Sequence, residues 1–183
     1  MVLQLETQRL MLRPLRLSDA QVIAEYRSDP QIARYQSWNT PYSISDAKQL
    51  IEEMKETQPG TPGKWYQLAI EVKQGRRMIG DCAFYILEAD AMQAEIGFTL
   101  ARQHQGLGYA SEAVRRLLGY LLVENSLHRV RANCDEENIA SASLLPRVGM
   151  RREAHFLESL WFKDHGSNEY WYAVLRREWL EQN

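Results

Sequence analysis

The chain has 183 residues, of which 45% are hydrophobic and 25% charged, and its formal net charge is −2. This length suits one domain with a sizeable core, so we expect residues 1–183 to form a single domain. A slightly negative chain offers no overall basic field to nucleic acid or to an anionic membrane. No stretch approaches the roughly 20 apolar residues of a membrane span, and the N-terminus lacks a signal-peptide pattern. We therefore expect a cytoplasmic protein.

The cysteines and histidines show no pattern of a disulfide or a metal centre. Cys82 and Cys134 lie far apart in apolar, strand-like segments, so we expect both to be reduced and buried. No metal is expected, because the histidines lack metal-ligand spacing: His104, His128, His155 and His165.

Hydrophobic periodicity predicts a chain of alternating strands and helices. In chain order these are a strand over Arg9–Arg13; helices over 18–27, after Pro30, and from an N-cap at Ser45 to Glu56; strands over Trp65–Val72, Met78–Ile86 and Gln93–Leu100; a central helix from Ser111; a strand over His128–Cys134; a short helix over Asn138–Val148; and strands over Glu153–Phe162 and Glu169–Arg176. This order predicts an α/β fold in which one mixed sheet carries helices on both faces.

The most informative stretch joins a strand to the central helix through a glycine turn, Gln105-Gly106-Leu107-Gly108-Tyr109-Ala110. Such a turn points several free backbone N–H groups at one position, and the helix dipole adds partial positive charge there, so a phosphate is the expected ligand. Glycine lets the backbone approach the anion closely. Neither the triphosphate loop nor the dinucleotide motif matches, since no Gly-Lys-Ser/Thr follows and Ser111 replaces the third glycine. A purely structural turn is the alternative interpretation.

Four segments in the right order carry a resemblance to a known family. Gln105-x-x-Gly108-x-Ala110 matches the pyrophosphate motif Gln/Arg-x-x-Gly-x-Gly/Ala of the GNAT superfamily of acyl-coenzyme A N-acyltransferases. The other matches are the opening Leu5–Leu15 with Ser18-Asp19-Ala20, the segment Glu95–Phe98, and the run Asn138–Met150. Together they resemble the RimJ/RimL-like branch of ribosomal-protein N-terminal acetyltransferases, over nearly the whole chain.

The resemblance implies a GNAT-like fold with a twisted, mixed, mostly antiparallel sheet of about seven strands. The fourth and fifth strands are expected to splay apart, with helices on both faces. It also implies acetyl-CoA as co-substrate, its pantetheine arm along the fourth strand and its phosphates at the glycine turn. The residues expected to bind it are Phe98, Thr99, Leu100, Gln105, Gly106, Leu107, Gly108, Tyr109, Ala110, Ser111, Asn138 and Ser141.

Glu95 is the candidate general base. It lies on the fourth strand near the expected thioester, and some family members use a glutamate there to deprotonate the amine through water. Its apolar neighbours Ile96 and Phe98 would desolvate it in part and make it a stronger base. The alternative is a carboxylate that pairs with an arginine or binds substrate by charge alone. Glu112, at the start of the central helix, is interpreted as structural.

Asn138 and Ser141 are three residues apart and lie on one face of the last short helix. The resemblance assigns Asn138 to the pantetheine region and Ser141 to a hydrogen bond with the departing sulfur. An ordinary N-cap and a serine bonded to its own backbone are the alternatives. Many members have a tyrosine one turn later as the acid, where this chain has Leu145, so either Ser141 fills that role or no acid is used. Pro146 should bend or shorten the helix.

The acceptor is expected to be a primary amine, either a peptide N-terminus or a small molecule such as an aminoglycoside, a polyamine or an amino acid. Tyr35 and Trp38 in an early loop, with Trp161 late in the chain, are candidates to line an aromatic acceptor cleft; core packing is the alternative. We expect no nucleic-acid or membrane partner, and a monomer or homodimer.

The favoured function is an acetyl-CoA-dependent N-acetyltransferase in which the amine attacks directly in a ternary complex. A cysteine-linked acyl-enzyme is disfavoured, because the acidic run that follows Cys134, residues 135–137, would raise the pKa of its thiol. The alternative function is a non-catalytic acetyl-CoA-binding sensor. A third possibility is an unrelated α/β domain with a structural glycine turn.

Overall fold

The computed structural model describes residues 2–182, and the strands within them form one sheet in the order β1-β2-β3-β4-β5-β6-β8-β7. The strands are β1 (Leu5–Glu6), β2 (Leu10–Pro14), β3 (Trp65–Val72), β4 (Arg77–Ile86), β5 (Gln93–Leu100), β6 (Arg129–Asp135), β7 (Arg151–Phe162) and β8 (His165–Leu175). The α-helices are α1 (Ala20–Arg27), α2 (Pro30–Ala33), α3 (Ile44–Glu56), α4 (Tyr109–Gly119), α5 (Ile139–Arg147) and α6 (Arg176–Gln182). The expected mixed, mostly antiparallel α/β fold is confirmed, with eight strands where about seven were predicted.

The sheet opens between its two central strands. β5 and β6 form the one parallel pair, and they pair only where Gln93–Glu95 faces Arg129–Arg131. Beyond this point β5 keeps its antiparallel pairing with β4 on one side, and β6 keeps its pairing with β8 on the other. The facing edges of 96–100 and 132–135 are therefore not paired with each other. The predicted splay between the fourth and fifth of the long strands is confirmed.

Two hydrophobic cores lie on opposite faces of the sheet. In β3, Leu68 and Ile70 belong to the larger core, with α4 and α5, while Ala69 between them belongs to the smaller core, with α1 and α3. This alternation follows from the period of two along a strand. The helices consequently cover both faces, which positions α4 and α5 on the same side of the opening between β5 and β6.

The ends of several elements differ from the sequence prediction. Ser45 does not cap α3; the cap is Ser43, whose Oγ accepts from the Asp46 N–H at 3.1 Å while Asp46 Oδ2 accepts from the Ser43 N–H at 2.9 Å. An aspartate therefore fills the position where a capping box usually has glutamate. The short strand β1 and the C-terminal helix α6 were not predicted.

None of the helices within residues 2–182 has the length and apolar character needed to cross a bilayer.

Candidate active site

The glycine turn between β5 and α4 presents backbone N–H groups with no acceptor. Gly106 and Gly108 both have left-handed backbones, with φ of 75° and 80°, a conformation that glycine adopts without steric cost. The first backbone bond of α4 runs from the Glu112 N–H to the Gly108 carbonyl at 3.1 Å. The N–H groups of 106–111 consequently donate to no acceptor within the described part of the chain. This geometry supports the anion site predicted from the sequence.

Arg9 and Glu112 brace this turn from outside. Arg9 donates from a guanidinium nitrogen to the Leu107 carbonyl at 3.1 Å and stacks over the Tyr109 ring at 4.5 Å. Glu112 accepts from the Thr7 hydroxyl at 2.6 Å and from the Arg9 backbone N–H at 2.9 Å. Burial opposes ionisation of Glu112, but the hydrogen bonds from Thr7 and Arg9 prevail and lower its pKa. Glu112 is therefore structural, as the sequence indicated.

A cleft of about 540 Å³ lies between the glycine turn, the exposed edge of β5 and the start of α5. Two arginines that sequence reasoning missed, Arg102 and Arg147, also line it, as does His104. Burial, and then the nearby Arg77, lower the pKa of His104, which favours a neutral ring. Of the predicted donor-binding residues, all but Leu107 line the cleft: Phe98, Thr99, Leu100, Gln105, Gly106, Gly108, Tyr109, Ala110, Ser111, Asn138 and Ser141.

Asn138 and Ser141 begin helix α5 and are coupled to each other. The Asn138 side-chain oxygen accepts from the Ser141 N–H at 3.2 Å, which is an ordinary N-cap. Pro146 lies inside the helix without ending it there. Since Pro146 cannot donate to the Ala142 carbonyl, that carbonyl accepts instead from the Tyr172 hydroxyl at 3.4 Å.

A second cavity, of about 290 Å³, meets the first at the opening between β5 and β6. The residues that line both cavities are Tyr35, Gln36, Phe98, Asn138 and Ser141. Beside this cavity the ammonium of Lys163, on the β7–β8 turn, donates to the backbone carbonyls of Ala33 and Trp38 and so ties the turn to the early loop. The two cavities thus form one passage from the glycine turn to the β7–β8 hairpin.

Glu95 lines the second cavity and is held by an ion pair. Its Oε2 accepts a hydrogen bond from Arg131 Nε at 2.9 Å and lies 2.9 Å from Arg131 Nη2 in the same ion pair, and Arg131 stacks over Trp171 at 4.9 Å. Glu95 and Arg131 are cross-strand partners at the last paired position of β5 and β6. The glutamate therefore stands where the strands begin to separate, with an orientation fixed by its neighbour.

The three aromatic residues proposed for the acceptor lie in different surroundings. Tyr35 lines both cavities. Trp38 lines neither: its indole N–H donates to the Arg27 carbonyl at 2.9 Å, and its ring covers the Arg27 guanidinium at 4.2 Å. Trp161 is 76% exposed and also lines neither cavity. Geometry thus favours only Tyr35 of the three, and Phe162, next to Trp161, lines the second cavity instead.

Two further carboxylates in the second cavity were not identified as site residues from the sequence. Asp135 ends β6 and Glu169 lies directly opposite it on β8. The sequence pattern does indicate that Asp135 lies on the polar face of β6, because Arg131, Asn133 and Asp135 alternate with buried apolar residues along the strand. No such signal exists for Glu169, since its position depends on the register between two strands that are distant in sequence.

Both cysteines are free and buried, as expected. Cys134 forms part of the wall of the second cavity. Burial, and then the charges of Asp135 and Glu169, raise the pKa of its thiol to about 12. The thiol is therefore protonated near neutral pH, and Cys134 is a poor nucleophile.

Comparison with known proteins identifies the family. Residues 9–151 match the family model described as an acetyltransferase (GNAT) domain. The chain is 32% identical over 175 residues to "Uncharacterized N-acetyltransferase p20" of Bacillus licheniformis, covering 96% of this chain and 97% of that protein. A GNAT-family acetyltransferase from Bacillus anthracis has the same fold with a TM-score of 0.85 and 25% identity, over 96% of this chain and 99% of that one. A Vibrio cholerae spermidine N-acetyltransferase, solved with CoA and spermine, has a TM-score of 0.80 at 22% identity, over 95% of this chain and 99% of the other.

The chain belongs to the GNAT family. It is an N-acetyltransferase, an enzyme of the acyltransferase class, and the family predicted from its motifs is confirmed.

Proposed function

We propose that the protein transfers an acetyl group from acetyl-CoA to a primary amine that attacks directly within a ternary complex. The observation that carries this proposal is the pair of connected cavities that share Phe98, Asn138 and Ser141. A donor in the cleft beside the glycine turn and an amine in the second cavity would meet at those shared residues. No covalent enzyme intermediate is needed, which agrees with the protonated Cys134 thiol.

The residues of the first cleft fit acetyl-CoA. The N–H groups of 106–111 and the guanidinium groups of Arg102 and Arg147 suit its phosphates. The edge of β5 that β6 leaves unpaired, over 96–100, offers backbone groups to the amides of the pantetheine arm. When bound, acetyl-CoA would supply a thioester carbonyl as the electrophile, and a backbone N–H near Phe98 is proposed to stabilise charge on the carbonyl oxygen.

Glu95 is proposed to remove a proton from the acceptor ammonium, through a water molecule. The free amine then forms the C–N bond as the C–S bond breaks, and its second proton is lost to solvent. The Ser141 hydroxyl, which donates to no other described residue, is free to donate a hydrogen bond to the departing sulfur. Arg131 orients Glu95 by a hydrogen bond from Nε at 2.9 Å within their ion pair. If Glu95 acts only by charge, ordered water is the base.

The acceptor class is proposed from the relatives and the cavity. A spermidine acetyltransferase shares the fold, and the motifs resemble the branch that acts on ribosomal-protein N-termini, so both small amines and peptide N-termini are acceptors to test. Tyr35 remains the aromatic residue placed to contact either one.

The test is thiol release from acetyl-CoA with a panel of small amines and peptides, with mass spectrometry of the products. We expect a product heavier by one acetyl group for at least one amine. Binding of acetyl-CoA without turnover on any amine would favour the sensor alternative. Gly97→Ala is an informative variant, because Gly97 lines the second cavity, has no positive φ, and a Cβ there would contact nothing within 4 Å. Because alanine keeps the backbone groups of 96–100 and its methyl group narrows only the second cavity, the variant should lower turnover more than it weakens acetyl-CoA binding.

A further inference from the structure

The two connected cavities have opposite charge. The first contains Arg102 and Arg147 and one carboxylate, Glu137, which is ion-paired with Arg34. The second contains three carboxylates, Glu95, Asp135 and Glu169, and no Lys, Arg or His of the described residues lines it. A negative wall around a cavity raises the local concentration of cations and excludes anions. If the first cavity holds the anionic donor, the second is suited to a cationic acceptor.

Asp135 and Glu169 form an uncompensated pair of like charges. They are direct cross-strand partners between β6 and β8, so their side chains lie on the same face of the sheet. Like charges directly opposite each other in antiparallel strands are destabilising. A cost of this kind in a cavity wall is relieved when a cation binds there.

The hydrogen-bond donors to these two carboxylates are all neutral. Asp135 accepts from the Ser167 hydroxyl at 2.5 Å and from the Glu137 N–H at 2.8 Å. Glu169 accepts from the Asn133 amide at 2.6 Å and from the Ser159 hydroxyl at 2.9 Å. Neither has an ion-pair partner among residues 2–182, in contrast to Glu95, which is paired with Arg131. The carboxylates are oriented by the protein, but their charges are not neutralised by it.

The shape of the cavity favours an extended organic cation over a metal ion. No group of three or more His, Cys, Asp or Glu side chains in the described chain converges closely enough to hold a metal. The aromatic rings of Tyr35, Trp65 and Phe162 complete the wall and can contact ammonium groups or methylene carbons. The volume, about 290 Å³, lies at the low end of the range for small-molecule sites, roughly 300–1,000 Å³.

We propose that the acceptor is a small, flexible amine with a second positive charge, and that Asp135 and Glu169 bind that second charge while the other amine is acetylated. This inference rests on the proposed function, and it selects a small polycationic amine over a peptide N-terminus. Glu95 is oriented by Arg131 and lines the same cavity, so binding of the second charge and deprotonation of the acceptor are assigned to different carboxylates.

Calorimetric titration of the protein saturated with CoA, which has no acetyl group to transfer, tests the inference without turnover. The probes are 1,4-diaminobutane and 1-aminobutane, which have equal chain length and differ by one charge. We expect the diamine to bind at least tenfold more tightly. Glu169→Gln should remove most of this difference, whereas Glu25→Gln, which removes one exposed charge from α1, should leave it intact.

Unfolding measurements separate a binding role from a structural one. Since Glu169→Gln relieves the repulsion of Asp135 and keeps an oxygen acceptor for Asn133, the variant should melt at or above the wild-type temperature. If it proves unstable instead, the titration is repeated on wild type at increasing NaCl concentration, where the advantage of the diamine should shrink.

Three results would overturn the inference: equal affinity for the two probes, an unchanged diamine advantage in Glu169→Gln, or acetylation of peptides by a protein that does not bind the diamine. Failure of the proposed function looks different. In that case the diamine binds as expected, but neither it nor any other amine is acetylated.

Discussion

Replacing Gly108 by alanine should weaken acetyl-CoA binding much more than it weakens the fold. Gly108 has φ of 80° and ψ of 0°, and a Cβ there would lie 3.4 Å from a guanidinium nitrogen of Arg9, the end of a flexible side chain. The protein can accommodate the methyl group on the Arg9 side, but the left-handed backbone that directs the N–H groups of 106–111 at one anion is strained by any L side chain, so the phosphate site should be affected first. Gly75 is the matched control: its φ is 82°, a Cβ there meets nothing within 4 Å, and it lies in the β3–β4 turn.

The strain should be similar in the two variants. A left-handed L-residue costs about 1–2 kcal/mol, and the reduced entropy of the unfolded chain returns about 0.4–1 kcal/mol. The net loss is therefore about 1 kcal/mol, or a melting temperature lower by about 2–4 °C for a chain of this size. Acetyl-CoA at about 100 times its wild-type Kd should stabilise the wild type by about 2.7 kcal/mol.

If Gly108→Ala binds acetyl-CoA tenfold more weakly, the same concentration stabilises it by only about 1.4 kcal/mol, so roughly half of the ligand-induced gain is lost. Thermal unfolding of wild type, Gly108→Ala and Gly75→Ala, each with and without acetyl-CoA, measures both effects. The reasoning is refuted if Gly108→Ala keeps the full gain, or if Gly75→Ala loses it to the same extent.

Four further substitutions test the site and the fold. Glu95→Gln should lower kcat by about a hundredfold or more and flatten the acidic limb of the pH–rate profile; an unchanged profile would remove Glu95 from the mechanism. Cys134→Ala should retain transfer, since a thiol with a pKa of about 12 is not a nucleophile at neutral pH; loss of turnover in a stable variant that still binds acetyl-CoA would contradict this. The pKa of Glu112 is lower in the folded protein than in the unfolded chain, where it is about 4.3. The ionised carboxylate therefore stabilises the fold above pH 4.3, and this contribution is lost as the pH falls through the folded-state pKa. Glu112→Gln should therefore lower the free energy of unfolding at neutral pH, and acidification should lower it further by less than in the wild type. If urea unfolding gave parallel pH curves for the two proteins, this role of Glu112 would be contradicted. Gly80→Ala should destabilise the fold by about 3 kcal/mol or more, because a Cβ there would lie 2.1 Å from the Thr99 carbonyl oxygen; a near-wild-type denaturation midpoint would show that β4 and β5 separate easily.

The glycine-turn side of the first cleft was predictable from the sequence because its components are close together in the chain. The strand before the turn, the two glycines with left-handed backbones, and the helix after it lie within residues 93–119, and their roles depend on local geometry. The bounds of β3 and β5 also agree with the prediction residue by residue, since each is a long apolar run with clear turns beside it. Element ends decided by side-chain caps were less predictable, as the shift of the α3 cap from Ser45 to Ser43 illustrates.

The second cavity was mostly not predictable, because the residues that line it are far apart in sequence. Trp38 was chosen for the cavity as an aromatic residue in a loop, yet the tertiary structure packs it on Arg27. The sequence around Glu169 has no feature that indicates a site, yet β8 inserts between β6 and β7 and sets this residue opposite Asp135.

The sequence by itself determined the family, the α/β fold and the glycine turn before the central helix, because period-two strands, helical spacing and a glycine motif act over a few neighbouring residues. Only the tertiary structure decided what faces the opening between β5 and β6. Strand order and register determine which carboxylates share a cavity. They also determine that Glu95 has an arginine partner, whereas Asp135 and Glu169 have no ion-pair partner within residues 2–182. Strand order and register are set by packing of the whole sheet between its two cores, and no local pattern encodes them.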